Sequence, residues 1–143
     1  MILLDADLLV YSYAIGLPEH DRTVAWLDRQ LGSGMRIGLP WQSVLGFVRL
    51  TSNPRAFANA QRLAESWRHV RAWMSLDNVW IPQPTERHAD VLEDIVSTGQ
   101  VTSASAADAH LAALAIEHGL VLCSTDGGFA RFGKLRWLNP LAT

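Results

Sequence analysis

The sequence predicts an α/β fold in which a parallel β-sheet is covered by helices on both sides. Short apolar runs alternate along the chain with longer segments whose apolar residues recur at helical spacing. Strands that alternate this regularly with helices form parallel sheets buried on both faces. With 143 residues, 49% of them hydrophobic and 18% charged, the chain is expected to form one domain over residues 1–143 around a substantial core.

Five short apolar runs are the predicted strands. Turn-forming residues, an acid or the start of a helical pattern follow each run and end its extended conformation. The runs are Ile2–Asp5, Arg36–Leu39, Asn78–Ile81, Val121–Ser124 and Arg136–Leu138.

The predicted helices lie between these strands. One of them stops before Asn53-Pro54, because a residue that precedes proline disfavours helical geometry. Another follows the predicted loop Gly99–Ser103 and ends at Gly119, a residue common after helix C-termini. The helices are His20–Leu31, Gln42–Thr51, Phe57–Met74, Thr85–Ser97 and Ala106–His118.

The long helix Phe57–Met74 is predicted to be amphipathic. Its expected buried stripe consists of Leu63, Trp67, Val70 and Met74, which recur at helical spacing. Tryptophan is abundant in this chain, and four tryptophans are interpreted as core or dimer-packing residues rather than base-stacking platforms. These are Trp26, Trp67, Trp73 and Trp80.

Charge and cysteine content narrow the function classes. The net charge of −2 provides no global attraction to nucleic acid, so any such contact must be local. The segment from Arg49 to Arg71 is locally basic, and it fits either a solvated helix face or a phosphate-binding surface. The single cysteine, Cys123, is expected to be a buried thiol, and we expect a cytoplasmic protein without a signal peptide or membrane span.

Three aspartates are placed where an α/β metal site needs them. Asp5 ends the first strand, Asp108 opens a helix, and Asp126 follows the fourth strand. Side chains beyond the carboxyl ends of parallel strands converge even when they are far apart in sequence. Because several carboxylates in one pocket repel one another, a divalent cation is the usual way to keep them ionised. The pattern predicts a metal-dependent phosphoryl-transfer site.

Each aspartate also has a purely structural explanation. Asp5 fits a cap of the following helix, and Asp108 fits a capping box that begins at Ser105. Asp126 fits the turn Asp126–Gly128. Asp7 fits a helix cap or an additional ligand. Ser124 and Thr125 are candidates for hydrogen bonds to a site carboxylate or to a phosphate oxygen.

Four segments, taken in order, carry a family resemblance: Met1–Leu9, Arg49–Arg55, Ala107–Gly119 and Ser124–Asp126 followed by Phe129–Phe132. Together they resemble the PIN-domain ribonucleases and, more narrowly, the VapC toxins of bacterial toxin–antitoxin modules. The resemblance implies a PIN-like three-layer sandwich around a five-stranded parallel sheet, and an endoribonuclease that depends on Mg²⁺ or Mn²⁺ held by the three aspartates. It also implies a homodimer, an RNA substrate and a cognate VapB-type antitoxin.

Two positions depart from the family pattern. The family normally has a glutamate just before the residue that matches Phe47, where this chain has Gly46. Many members also carry an acid two residues beyond Asp126, where this chain has Gly128. Weak metal binding and slow cleavage are therefore expected unless another acid fills in, and Gly46→Glu should increase metal affinity and nuclease rate. Asp7 is the nearest candidate for compensation, because side chains two apart on an extended segment share a face with one another and Asp7 would then share the face of Asp5. The alternative is a catalytically weakened PIN module that binds RNA or antitoxin without efficient cleavage.

A different enzyme class shares the first motif. Asp5-Ala6-Asp7 at a strand end also resembles haloacid-dehalogenase-type phosphatases. Those enzymes need threonine or valine at the position of Leu9, and a lysine ahead of the last acid. Since the only lysine, Lys134, comes after Asp126, this interpretation is disfavoured.

Overall fold

The sheet has the predicted composition of five parallel strands. The computed structural model describes residues 1–98 and 100–142, so that Gly99, the first residue of the predicted loop, and Thr143 lie outside the described residues. The strand order is β3-β2-β1-β4-β5, with β1 at the centre. The strands are β1 Ile2–Leu4, β2 Ile37–Gly38, β3 Val79–Trp80, β4 Val121–Cys123 and β5 Trp137–Leu138.

Six helices connect and cover these strands within the described residues. All helices predicted from periodicity are present, although the bounds of four differ, two of them by more than one residue, and the short segment after the first strand is also helical. Two 3₁₀ turns, Ser103–Ser105 and Gly127–Arg131, complete the connections. The helices are α1 Ala6–Tyr13, α2 His20–Gly32, α3 Trp41–Thr51, α4 Leu63–Met74, α5 His88–Thr98 and α6 Ala106–His118.

The central strand divides the core into two layers. Ile2 and Leu4 pack into a cluster with α1, α2, α3 and α4, whereas Leu3 packs into a second cluster with α5 and α6. Successive side chains of a strand point to opposite faces, so one short strand supplies both layers. The three-layer α/β sandwich predicted from the sequence is confirmed.

Helix α4 is shorter than predicted. It begins at Leu63 rather than at Phe57, and Arg62 occupies its N-cap without a side-chain capping bond. The expected buried stripe is only partly correct, because Val70 is fully buried while Leu63 is 61% exposed and Trp67 is 38% exposed. Apolar periodicity identified the helix, but it did not distinguish the face packed on the core from an apolar face open to solvent.

The start of α5 is set by a contact from another helix. This helix begins at His88, three residues later than predicted. The carboxylate of Glu117, on α6, accepts hydrogen bonds from the backbone N–H of Thr85 at 2.8 Å and contacts Nδ1 of His88 at 2.8 Å. The buried acid therefore holds the entry of α5 in a non-helical turn.

Helix α6 ends as predicted, at Gly119, whose positive φ of 68° is the left-handed conformation that glycine adopts most readily. No helix among the described residues is long and apolar enough to cross a membrane.

Candidate active site

Asp5 lies at the carboxyl edge of the sheet, where β1 and β4 end side by side. Its backbone N–H donates to the carbonyl of Cys123 at 3.0 Å, which joins the ends of the two strands. Its Oδ1 accepts from the N–H of Ala6 at 2.8 Å and caps α1. Its Oδ2 accepts from Oγ of the fully buried Ser124 at 2.7 Å. Asp5 therefore caps α1 and at the same time lies at the carboxyl edge of the sheet. The predicted hydrogen bond from Ser124 to a carboxylate of the candidate site is confirmed.

The carboxyl group of Asp5 is electrostatically strained. Burial, together with the negative charges of Asp7 and Asp108, raises the pKa of Asp5 to about 6, although hydrogen bonds from Ser124 and Ala6 oppose the rise. A carboxylate that is costly to ionise and lies beside other acids gains most from a nearby cation. A cation bound beside Asp5 would therefore relieve the unfavourable free energy of ionising this carboxyl group.

Asp108 lies in the first turn of α6, and helix capping does not account for it. The capping box in this region is formed by Thr102 and Ser105 around the preceding 3₁₀ turn, whereas Ser105 makes no side-chain cap on α6. Burial and the negative charge of Asp126 raise the pKa of Asp108, while the positive charge of Arg131 lowers it. The structural explanation considered for Asp108 is wrong, and its charge neighbours are the other site acids.

Asp126 has the turn-forming role that the sequence offered as an alternative. Its Oδ1 accepts from the N–H of Gly128 at 2.8 Å and caps the 3₁₀ turn Gly127–Arg131. Its own N–H donates to Oγ of Ser124 at 3.1 Å, so that Ser124 connects Asp5 with Asp126. The side chain of Asp126 is exposed, and the turn uses only one of its carboxylate oxygens.

Asp7 acts as a clamp between α1 and the end of β4. Its Oδ1 accepts from the N–H of Leu8 at 2.7 Å, and its Oδ2 accepts from the N–H of Thr125 at 2.9 Å and from the Thr125 hydroxyl. Asp7 belongs to helix α1, so the expectation that it shares the face of Asp5 on an extended segment is wrong. Oδ2 of Asp7 accepts from two donors of Thr125, whereas each oxygen of Asp5 accepts one short hydrogen bond. Asp7 therefore has less capacity left to replace a missing ligand.

The two glycines that replace family acids are in close contact with their surroundings. A Cβ at Gly46 would lie 3.0 Å from Cβ of Ala6, the residue between Asp5 and Asp7. A Cβ at Gly128 would lie 2.7 Å from Nη2 of Arg131. The neighbours would therefore have to move before either position could hold an acid.

Two further polar residues near the acids were missed in the sequence. Gln42, in the first turn of α3, donates from Nε2 to the carbonyl of Ala107 at 3.0 Å, directly before Asp108. Arg131 lies close enough to Asp108 to lower its pKa. Gln42 follows the carboxyl end of the second predicted strand, so the rule that located the aspartates could also have found it.

The donor set suits a hydrated cation better than a cage made only of protein ligands. Within residues 1–98 and 100–142, no group of three or more His, Cys, Asp or Glu side chains is arranged to enclose a metal ion. Mg²⁺ usually keeps several water ligands and is held by one or two carboxylates together with substrate phosphate. Asp5, whose pKa is raised by burial and by the charges of Asp7 and Asp108, fits that requirement together with Asp108, and Asp126 is exposed nearby.

Comparisons with known proteins agree in coverage and fold. Residues 2–135 match the PIN domain family. Ribonuclease VapC33 of Mycobacterium tuberculosis is 34% identical over 141 residues, covering 99% of both chains, and Ribonuclease VapC43 of the same species is 34% identical over 99% of this chain and 96% of its own. The structure of FitAcB from Neisseria gonorrhoeae, at 24% identity, covers 98% of each chain with a TM-score of 0.66. VapBC-1 from nontypeable Haemophilus influenzae, at 17% identity, covers 99% of this chain and 100% of its own with a TM-score of 0.69. Both solved structures therefore have the same fold as this chain.

Proposed function

Since this chain belongs to the PIN domain family, we propose that it is the toxin of a type II toxin–antitoxin module and that it hydrolyses RNA phosphodiester bonds as an endoribonuclease. Relatives named as ribonucleases match it over 99% of its length. The observation that supports the activity most directly is the strained carboxyl group of Asp5 beside Asp108, at the sheet edge where α/β enzymes bind ligands.

The proposed chemistry depends on Mg²⁺ or Mn²⁺. Asp5 and Asp108 would hold the ion, with Asp126 assisting at the rim. A bound divalent cation supplies an activated water and stabilises charge at phosphorus. The chain's own part is to hold the acids in place: Ala6 and Ser124 fix both oxygens of Asp5, and the α6 start presents Asp108. Hydrolysis adds water across one P–O bond and requires no protein nucleophile.

The expected protein partner is a cognate VapB-type antitoxin. The solved structures with this fold include toxin–antitoxin complexes such as VapBC-1. A partner arginine that enters the acidic cleft would pair with its carboxylates and displace the cation. We place the activity in the cytoplasm, where the buried, free thiol of Cys123 is compatible with a reducing environment.

Self-association is a second part of this proposal. Helices α3 and α4 expose a contiguous apolar face, which we call the tryptophan face. Trp41 and Trp67 stack on it with ring centroids 6.4 Å apart and an interplanar angle of 12°. Leu45 and Leu63 on the same helices are about 60% exposed. A monomer rarely leaves such a patch open, which favours a homodimer through this face.

One alternative function keeps the fold but not efficient catalysis. A PIN module that binds RNA or antitoxin without rapid cleavage is favoured by Gly46 and Gly128, and by the lack of a cage of three acidic ligands among the described residues. The two candidates differ in one measurable property, the dependence of RNA cleavage on metal and on Asp5.

The test is a metal titration combined with RNA cleavage. Isothermal titration of Mg²⁺ and Mn²⁺ into wild type, Asp5→Asn and Asp108→Asn should show binding that either substitution weakens by tenfold or more. Cleavage of a structured RNA should fall in parallel. Asp77→Asn, at an exposed position after α4, is the matched control. If wild type binds RNA but cuts it no faster than Asp5→Asn, the weakened module is correct.

A further inference from the structure

We propose that Arg131 binds the phosphate of the RNA substrate at this site, and that Gly128 keeps the place of its guanidinium open. The inference deepens the proposed function and depends on it. The proposed phosphate ligand is the guanidinium of Arg131, a cationic side chain that lies beside the acids of the site.

Arg131 reaches the acids because of one short turn. Asp126 caps the 3₁₀ turn Gly127–Arg131, so the acid and the arginine stand at its two ends. Nη2 of Arg131 lies 2.7 Å and Cζ lies 3.5 Å from the position of a Cβ on Gly128. Oδ1 of Asp126 lies 3.0 Å from the same position. The positive charge is therefore located beside the turn and the carboxylate of Asp126.

The guanidinium is near the carboxylates without being paired to one of them. The ion pairs found in the described part of the chain are Arg68–Glu65, His88–Glu117 and Lys134–Asp94, and none involves Arg131. Arg131 is exposed, and its Cζ lies 5.7 Å from the centre of the Phe132 ring, a contact that favours one orientation of the cation. Its planar array of N–H donors thus remains available for a phosphate.

A positive charge beside the three acids would favour the binding of RNA at this site. RNA is a polyanion, and this chain has a net charge of −2, so approach of a phosphodiester to Asp5, Asp108 and Asp126 is opposed by charge repulsion. An arginine beside the acids offsets that repulsion where the phosphate must bind. Hydrogen bonds between guanidinium and phosphate would also orient the scissile group beside Asp108.

Gly128 is explained by the same arrangement. Any side chain at this position would begin 2.7 Å from Nη2 of Arg131, so the guanidinium would have to leave its place. An acid at residue 128 would weaken phosphate binding further, because its carboxylate would form an ion pair with Arg131. That ion pair would occupy the N–H donors that bind phosphate. The absence of an acid at residue 128 and the free guanidinium of Arg131 are therefore parts of one feature.

The test measures RNA binding without cleavage. A fluorescein-labelled single-stranded RNA oligonucleotide is titrated with the full chain in EDTA, and binding is followed by fluorescence anisotropy at several salt concentrations. Arg131→Gln should weaken affinity about tenfold and flatten the dependence of log Kd on log salt by about 0.7, the contribution of one phosphate contact on a single strand. Arg131→Lys keeps the charge, so it should retain the wild-type salt dependence with a smaller loss of affinity.

Two further variants make the test specific. Gly128→Asp should weaken RNA binding as Arg131→Gln does, and it should add little in the Arg131→Gln background, because both act on one contact. Arg29→Gln is the matched control, since this exposed arginine lies in the last turn of α2, which leads to the amino edge of the sheet. Circular dichroism checks that each variant is folded.

The outcomes separate the inference from the function on which it depends. Unchanged affinity and salt dependence in folded Arg131→Gln, with wild type cutting RNA in Mg²⁺, would overturn the role of Arg131 alone. Equal losses in Arg131→Gln and Arg29→Gln would also overturn it, because the effect would then be general charge attraction. Wild type that neither binds nor cuts RNA would overturn the proposed function itself.

Discussion

Replacing Asp5 by asparagine should stabilise the metal-free protein above pH 6. Burial raises the pKa of this carboxyl group from its ordinary value of 3.8 to about 6, and the charges of Asp7 and Asp108 add to the effect. An acid whose pKa is higher in the folded chain binds its proton more tightly there. Its contribution to stability is therefore complete below about pH 4 and is lost as the pH rises through about 6.

The size of the effect follows from the same shift. A rise in pKa from 3.8 to about 6 corresponds to about 3 kcal/mol, at roughly 1.4 kcal/mol for each tenfold change in proton binding. Asparagine carries no charge, so at pH 7.5 it removes most of this cost, although its amide accepts fewer hydrogen bonds from Ala6 and Ser124 than the carboxylate does. For a chain of this length we expect Tm to rise by up to about 10 °C.

Thermal unfolding followed by circular dichroism in EDTA, between pH 4.5 and pH 8, measures this directly. The quantity to compare is the difference between wild type and Asp5→Asn, because titration of groups that do not interact with Asp5 cancels in it. That difference should grow from pH 4.5 to about 6.5 and then level off. Asp77→Asn should show no such trend. A difference that does not depend on pH, or an asparagine variant less stable than wild type at pH 7.5, would refute the electrostatic explanation of Asp5.

Three other predictions test the surroundings of the site. Adding Mg²⁺ should raise the Tm of wild type but not of Asp5→Asn, and a concentration ten times Kd should stabilise wild type by about 1.4 kcal/mol. Gly46→Glu should destabilise the fold by roughly 1–3 kcal/mol in chemical denaturation, because its Cβ would press on Ala6. Contrary to the expectation from the sequence, it should not increase metal affinity. Tighter Mg²⁺ binding at unchanged stability would contradict this prediction. Trp67→Asp should convert a dimer to a folded monomer in light scattering at tens of micromolar protein, on the order expected for micromolar affinities, whereas wild type that is already monomeric would remove the dimer proposal.

The sequence alone determined the fold class and the position of the first acid. Alternation of apolar runs with helical periodicity specifies strands and helices locally, and a charge directly after a buried strand must leave the sheet at its edge. Asp5 was therefore identifiable without coordinates. The exact extent of α4 and α5 was not, because the burial of Val70 and the contact of Glu117 with Thr85 depend on elements distant in sequence.

Only the tertiary structure decided which polar groups at the site interact with one another. Asp7 had two open explanations, a helix cap and an additional metal ligand, but Asp5 is the cap of α1 and Asp7 instead accepts a hydrogen bond from Thr125, 118 residues away. The capping-box explanation of Asp108 failed because Ser105 belongs to the capping box of Thr102 and makes no side-chain cap on α6. The role proposed for Arg131 likewise depends on its approach to Gly128, which the sequence spacing does not show. Hydrogen bonds and charge interactions depend on distances of a few ångströms between side chains, and chain folding sets those distances, whereas sequence spacing does not.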